Sequence, residues 1–103
     1  MIKIFLATLL ALSANPALAE SPVTVTRTVQ TADLDLSSSA GRQMLDRRLS
    51  RATKEVCGTA SDVDLAGKNE VRHCRAETLA SLVSERDQRI AAASNQPIEV
   101  AAR

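Results

Sequence analysis

Apolar and polar residues alternate along the chain just after residue 20. Residues Val23–Val29, VTVTRTV, are rich in β-branched side chains and repeat with a period of two, which is typical of a half-buried strand. Arg27 interrupts the face that the valines share. The pattern therefore predicts one strand here, with a single charged side chain on its apolar face.

The segment after this strand, DLDL, has the opposite phase. Continuing the alternation would place Asp33 and Asp35 on the valine face, while Leu34 and Leu36 would point the other way. A shift of one residue exchanges the two faces of a strand. We therefore expect a bulge or bend within residues 30–33 that brings both leucines inward.

The period changes to that of a helix after three consecutive serines. Apolar residues then recur at spacings of four, three and four, within about 60° of one another on a helical wheel. They are Leu45, Leu49, Ala52 and Val56. Serine is a favourable N-cap residue, and Gly58 stands where a glycine commonly ends a helix. We expect a first helix over about residues 38–57.

A second helical pattern follows a loop at residues 58–68. It runs from about Asn69 into the low nineties, with a less regular apolar face. Residues 94–103 are expected to form a flexible tail, although Pro97–Val100 could add a short second strand. The predicted fold is α+β and mainly helical, with an N-terminal strand and two helices in one domain over residues 20–93.

The first residues of the chain, MIKIFLATLLALSANPALAE, resemble a Sec-type signal peptide. Lys3 precedes an apolar run at residues 4–12, and residues 17–19 form an A-x-A-like cleavage site. We expect cleavage after Ala19 and a mature chain that starts at Glu20 in the periplasm or outside the cell. The run is shorter than the roughly 20 residues that cross a membrane, so we expect no transmembrane segment.

Removing this peptide changes the charge and the aromatic content. Lys3 leaves without any acidic residue, so the 13 basic residues become 12 and equal the 12 acidic ones. The only aromatic residue, Phe5, leaves as well. A neutral chain without aromatic side chains lacks the net positive charge and the stacking platforms of nucleic-acid-binding proteins, so we expect no nucleic-acid partner.

Two cysteines remain in the mature chain, Cys57 and Cys74. In an oxidising compartment they are expected to form a disulfide. The mature chain has few large apolar residues, and small domains of this kind often need a covalent bridge to hold one structure.

Four aspartates occur in two similar motifs, DLDL and DVDL. Carboxylates are the oxygen ligands that divalent cations prefer, so Asp33, Asp35, Asp62, Asp64 and the nearby His73 are candidate metal ligands. The motifs lack the continuation of a calcium loop, and the cysteines with His73 lack the spacing of a zinc site. The other interpretation is that the aspartates face solvent near the positive end of the first helix.

Two further features suggest binding surfaces. Arg47, Arg48, Arg51 and Lys54 form a basic stripe opposite the apolar stripe of the first helix. Such a stripe is the usual solvent face of a helix, but it also suits an anionic partner. The strand has no convincing neighbour in the sequence, and an unpaired strand edge favours a homodimer or pairing with another protein.

The order of the motifs resembles the UrcA family of small secreted bacterial proteins. The resemblance spans about Val23–Leu82 and includes the valine-rich strand, DLDLSSSAGRQMLDRRLSRATKEVCG, DLAG and VRHCRAETL. It implies a periplasmic or secreted product with paired cysteines and no established biochemical activity.

The sequence therefore predicts an exported, non-catalytic protein that acts through protein–protein contacts in the periplasm or envelope. We expect no catalytic residues and no cofactor, because the chain has one histidine and no recognisable nucleophile–base pair or phosphate-binding loop. The alternative function is a divalent-metal-binding or metal-stress-related periplasmic protein.

Overall fold

Two helices and two short strands make up the part of the chain that the computed structural model describes, residues 24–103. In chain order they are β1 (Thr26–Val29), α1 (Ser39–Cys57), α2 (Leu65–Ala92) and β2 (Ile98–Ala101). This is the predicted α+β, mainly helical fold. The expected signal peptide at residues 1–19 and the first residue of the predicted strand, Val23, lie outside the described residues.

The two strands form an antiparallel sheet from distant parts of the chain. Val29 pairs with Ile98, and Arg27 pairs with Val100. Val29 is almost fully buried, and Ile98 and Val100 are completely so, because this face of the sheet packs on the helices. β1 begins at Thr26 and is therefore shorter than the predicted strand. Thr26 pairs with the last residue of β2, which is only four residues long.

Residues 94–103 are not the flexible tail that we expected. They contain β2, whose Ile98 and Val100 belong to the hydrophobic core. The backbone N–H of Arg103 donates a hydrogen bond of 3.2 Å to Thr78 Oγ1 on α2. Two isolated apolar residues give little signal in the sequence, but both become buried once β1 supplies a pairing edge.

A turn after β1 produces the predicted change of phase between the valines and the leucines. Leu34 N donates to Thr31 O at 3.0 Å, which reverses the chain over residues 31–34. As a result Leu36 is buried, Leu34 is half-buried, and both aspartates of DLDL are exposed, as the sequence predicts. Thr31 is also buried, and its hydroxyl donates to Gln96 O at 3.0 Å, beside the start of β2.

Helix α1 has the predicted apolar stripe and the predicted caps. Its four stripe residues are all buried. Ser38 is the N-cap, and its side chain accepts a hydrogen bond from Gly41 N at 3.0 Å. Gly58 follows the helix with φ +70°, a conformation that favours glycine, and its N–H donates to Lys54 O.

Helix α2 begins four residues earlier than predicted, at Leu65. Asp64 is its N-cap, because the carboxylate accepts a hydrogen bond of 2.9 Å from Gly67 N. The helix is 28 residues long, yet only Thr78 and Leu82 are buried along it. Most of α2 is therefore exposed.

The core of the described residues is small. It contains nine buried apolar side chains together with three buried threonines, Thr31, Thr53 and Thr78. Each threonine hydroxyl has a hydrogen-bonding partner, which removes the cost of burying it.

The expected Cys57–Cys74 disulfide joins the end of α1 to the third turn of α2, with 5.7 Å between the two Cα atoms. The buried Thr78 hydroxyl lies beneath it, 3.6 Å from Cys57 Sγ and 3.9 Å from Cys74 Sγ. The bridge thus holds α1 and α2 together near the loop that connects them.

Reducing this disulfide should lower the free energy of unfolding by about 3 kcal/mol, because it releases a loop with a sequence separation of 17. The measurement is urea denaturation, followed by circular dichroism, with and without reductant. A C57S/C74S double variant provides the control, since reductant should no longer change its midpoint. Equal midpoints for the oxidised and reduced wild type would contradict the prediction.

Ile98→Ala should destabilise the protein by about 2–4 kcal/mol, because the side chain is completely buried at the contact between the sheet and the helices. The matched control is Glu99→Ala, which changes an exposed neighbour on the same strand and should cost less than about 1 kcal/mol. Thermal or urea denaturation measures both. A small effect of Ile98→Ala would mean that β2 does not contribute to the core in solution.

Candidate functional site

The first aspartate pair, Asp33 and Asp35, forms hydrogen bonds in the segment that connects β1 to α1. Asp33 accepts two hydrogen bonds from the Arg48 guanidinium, of 2.7 and 2.6 Å. Asp35 accepts hydrogen bonds from the backbone N–H and the hydroxyl of Ser37, and its carbonyl accepts from Ser38. Both carboxylates therefore stabilise the conformation of the segment between β1 and α1.

These contacts set the ionisation of both carboxyl groups. The paired hydrogen bonds from Arg48 lower the pKa of Asp33 below its usual value. The hydrogen bonds from Ser37 lower the pKa of Asp35 in the same direction. Both groups are exposed, so the charged form needs no other partner to be stable.

The second aspartate pair and the histidine have separate local roles. Asp62 accepts a hydrogen bond of 3.1 Å from Lys68 Nζ, and Asp64 caps α2. His73 lies one turn before Glu77, with 3.0 Å between Nε2 and the carboxylate. None of these contacts brings two of the candidate ligands together.

The two motifs also lie at opposite ends of α1. DLDL precedes its first residue and DVDL follows its last, and a helix of 19 residues is about 28 Å long. Among residues 24–103, no three His, Cys, Asp or Glu side chains are grouped so that they could hold a metal ion. The candidate ligands Asp33, Asp35, Asp62, Asp64 and His73 thus form separate contacts in this structure.

Arg75 makes a structural contact that the hydrophobic pattern of the sequence does not predict. It lies on the face of α2 that also carries apolar residues, and its Nη2 donates to Gly58 O at 3.1 Å. The guanidinium therefore satisfies a carbonyl just beyond the end of α1. A positive side chain favours the negative end of a helix, which accounts for an arginine on this face.

A groove runs between β1 and α1, and no residue of β2 lines it. We call it the edge groove; its volume is about 260 Å³. Its walls come from β1 with Gln30 and from α1. The lining residues are Arg27, Thr28, Val29, Gln30, Arg48, Arg51, Ala52 and Glu55. The buried Val29 and Ala52 give it an apolar floor, and charged side chains form its rims.

Two arginines connect β1 with α1 across this groove. Arg27 Nε lies 3.0 Å from Glu55 Oε2, and Arg48 Nη1 donates to Gln30 O at 2.9 Å. The interruption of the valine face by Arg27 is thereby explained, because its side chain reaches a carboxylate on the helix. Arg27, Gln30 and Glu55 are exposed, so these contacts lie on the solvent side of the groove.

The basic stripe of α1 divides into paired and unpaired cations. Arg48 is bound to Asp33. Arg47, Arg51 and Lys54 are exposed and form no salt bridge with any residue in the described part of the chain. Arg51 is the unpaired cation that lines the edge groove.

Neither helix within residues 24–103 is long and apolar enough to cross a membrane. Comparisons of the chain with protein-family models, with curated proteins and with solved structures gave no match.

Arg48→Gln should raise the pKa of Asp33 toward its ordinary value of 3.8, because it removes the hydrogen bonds that favour the carboxylate. A carbon-detected NMR titration of the aspartate carboxyl groups measures this change. Arg47→Gln is the matched control, since the salt bridge to Asp33 comes from Arg48. It should leave the pKa of Asp33 unchanged.

The pair of Asp33 and Arg48 also predicts how the free energy of unfolding changes with pH. The folded-state pKa of Asp33 is depressed, so the contribution of the pair is complete above the ordinary value of 3.8 and is lost as the pH falls through the lowered one. The difference in stability between wild type and Arg48→Gln should shrink over this range. A difference independent of pH would contradict a role for the Asp33 charge.

Proposed function

We propose that this protein is an exported, non-catalytic module of UrcA type that binds other proteins by strand addition at the edge groove. The observation that carries the proposal is the edge of β1 that no strand within residues 24–103 covers, beside a groove with an apolar floor. In a two-stranded sheet each strand has one unpaired edge, and an extended segment of another protein can pair with it.

The backbone of β1 is suited to this role. Successive residues of a strand direct their N–H and C=O groups to opposite edges, so two of the four β1 residues direct theirs away from β2. A strand added there would lie about 4.8 Å from β1. It would lie over the floor of Val29 and Ala52.

Export is supported by three features. The first 19 residues have the composition of a signal peptide. The Cys57–Cys74 disulfide suits an oxidising compartment. The motif order that resembles the UrcA family points in the same direction.

A non-catalytic role fits the positions of the ionisable groups. The single histidine of the chain, His73, is exposed on α2 beside Glu77, away from the edge groove. The carboxylates of the two aspartate motifs serve as caps and ion-pair partners. Binding by backbone pairing needs no reactive side chain.

Selection of a random nonapeptide display library on the protein, expressed from its full sequence and purified from the periplasm, tests the function. Enriched peptides should lack proline in the paired stretch, because proline has no N–H to donate. Backbone N-methylation of a selected peptide should abolish binding. NMR chemical-shift changes should concentrate on residues 26–30.

The competing outcomes are distinct. Selected peptides that tolerate N-methylation, or that shift residues of α2 and leave β1 unchanged, would overturn strand addition. Light scattering of the protein alone shows whether two copies occupy the edge instead. A dimer that dissociates when a selected peptide binds would still place the pairing site at β1.

A further inference from the structure

We infer that the segment bound at the edge groove is an extended, acidic stretch of another protein. This inference rests on the proposed function and adds the chemical class of the partner. It follows from the direction of β1 along α1, from the charges that flank the strand edge, and from what a second copy of the chain would bring to the same place.

β1 runs antiparallel to α1 at close range. Arg27 contacts Glu55, and Gln30 contacts Arg48. The three steps from residue 27 to residue 30 cover about 10 Å of strand, and the seven steps from residue 48 to residue 55 cover about 10.5 Å of helix. The two elements are therefore aligned, and a strand added to β1 would follow the flank of α1.

That flank is cationic. Arg48 and Arg51 line both the edge groove and a neighbouring depression of about 410 Å³, which Met44 and Arg47 complete. The acidic residue of the groove, Glu55, is already bound to Arg27. Arg48 is paired with Asp33, so Arg47 and Arg51 supply the positive charge on this flank that the described residues do not neutralise.

The spacing of the unpaired cations matches an extended peptide. Arg47 and Arg51 are separated by about 6 Å along the helix axis. Carboxylates at every second position of a strand lie on one face and are about 6.6 Å apart. Alternate acidic residues of an added strand would thus meet successive arginines, and Lys54 extends the same row by one more turn.

A second copy of the chain fits the groove less well. Two-fold pairing of β1 with itself would place both α1 helices on one face of a four-stranded sheet, with the flanks that carry the unpaired Arg51 facing each other. Like charges at an interface disfavour association. An acidic segment removes this repulsion and replaces it with attraction.

The test uses synthetic octapeptides that alternate valine or threonine with glutamate, glutamine or lysine, titrated by fluorescence anisotropy onto the protein expressed from its full sequence. At low salt the glutamate peptide should bind about tenfold more tightly than the glutamine peptide, and raising the salt concentration should reduce this difference. Binding of the lysine peptide should be weaker still.

Arg51→Gln should weaken the glutamate peptide about fivefold and leave the glutamine peptide unchanged, since it removes one exposed charge–charge contact. Arg51 makes no side-chain hydrogen bond within the described residues, so its replacement should not affect folding. The matched control is Arg72→Gln, which removes an exposed arginine from α2 and should not alter binding.

The outcomes separate the acidic partner from strand addition itself. Equal affinities for the glutamate and glutamine peptides, both lost on N-methylation, would overturn the acidic partner and support strand addition. An N-methylated glutamate peptide that binds as well as its parent would overturn both. Stable dimers that exclude the glutamate peptide would identify a second copy as the occupant and overturn the inference.

Discussion

The antiparallel pairing of β1 with β2 is the constraint on which the other contacts depend. Thr28 and Glu99 face each other across the sheet although they are 71 residues apart in sequence, and the helices fill the chain between them. Closing so long a loop costs conformational entropy, which the burial of Val29, Ile98 and Val100 against the helices offsets. The disulfide reduces the same cost by limiting the unfolded chain, and the buried hydroxyl of Thr78 links it to the end of the second strand.

The electrostatic contacts follow from this arrangement. The aspartates occur in pairs along the sequence, but each carboxylate binds a different partner. Asp33 holds an arginine of α1, Asp35 binds the serines that precede the same helix, and Asp64 starts the second helix. These local contacts leave the outer side of α1 with cations that nothing in residues 24–103 neutralises. The resulting charge imbalance lies beside the edge of β1 that β2 does not cover, and the proposed preference for an acidic segment rests on it.

The elements with strong periodicity were predictable from sequence, and those that depend on distant partners were not. The stripe from Leu45 to Val56 specifies α1 by itself, and the change of phase before Leu36 requires a turn. β2 offers only Ile98 and Val100 as signal, because its stability comes from β1. The early start of α2 depends on Asp64 as a cap, a residue whose motif also suggested a metal ligand. The candidate site could be anticipated as a strand edge, but the alignment of that edge with the cations of α1 appears only once Arg27 and Glu55 are in contact.

The long separation between the paired strands has a consequence for the timing of folding. During synthesis β1 emerges well before β2, so neither the sheet nor the core can be completed until about seventy further residues have left the ribosome. A chain that cannot finish its core early remains unfolded for longer, and its apolar side chains stay exposed to solvent during that time.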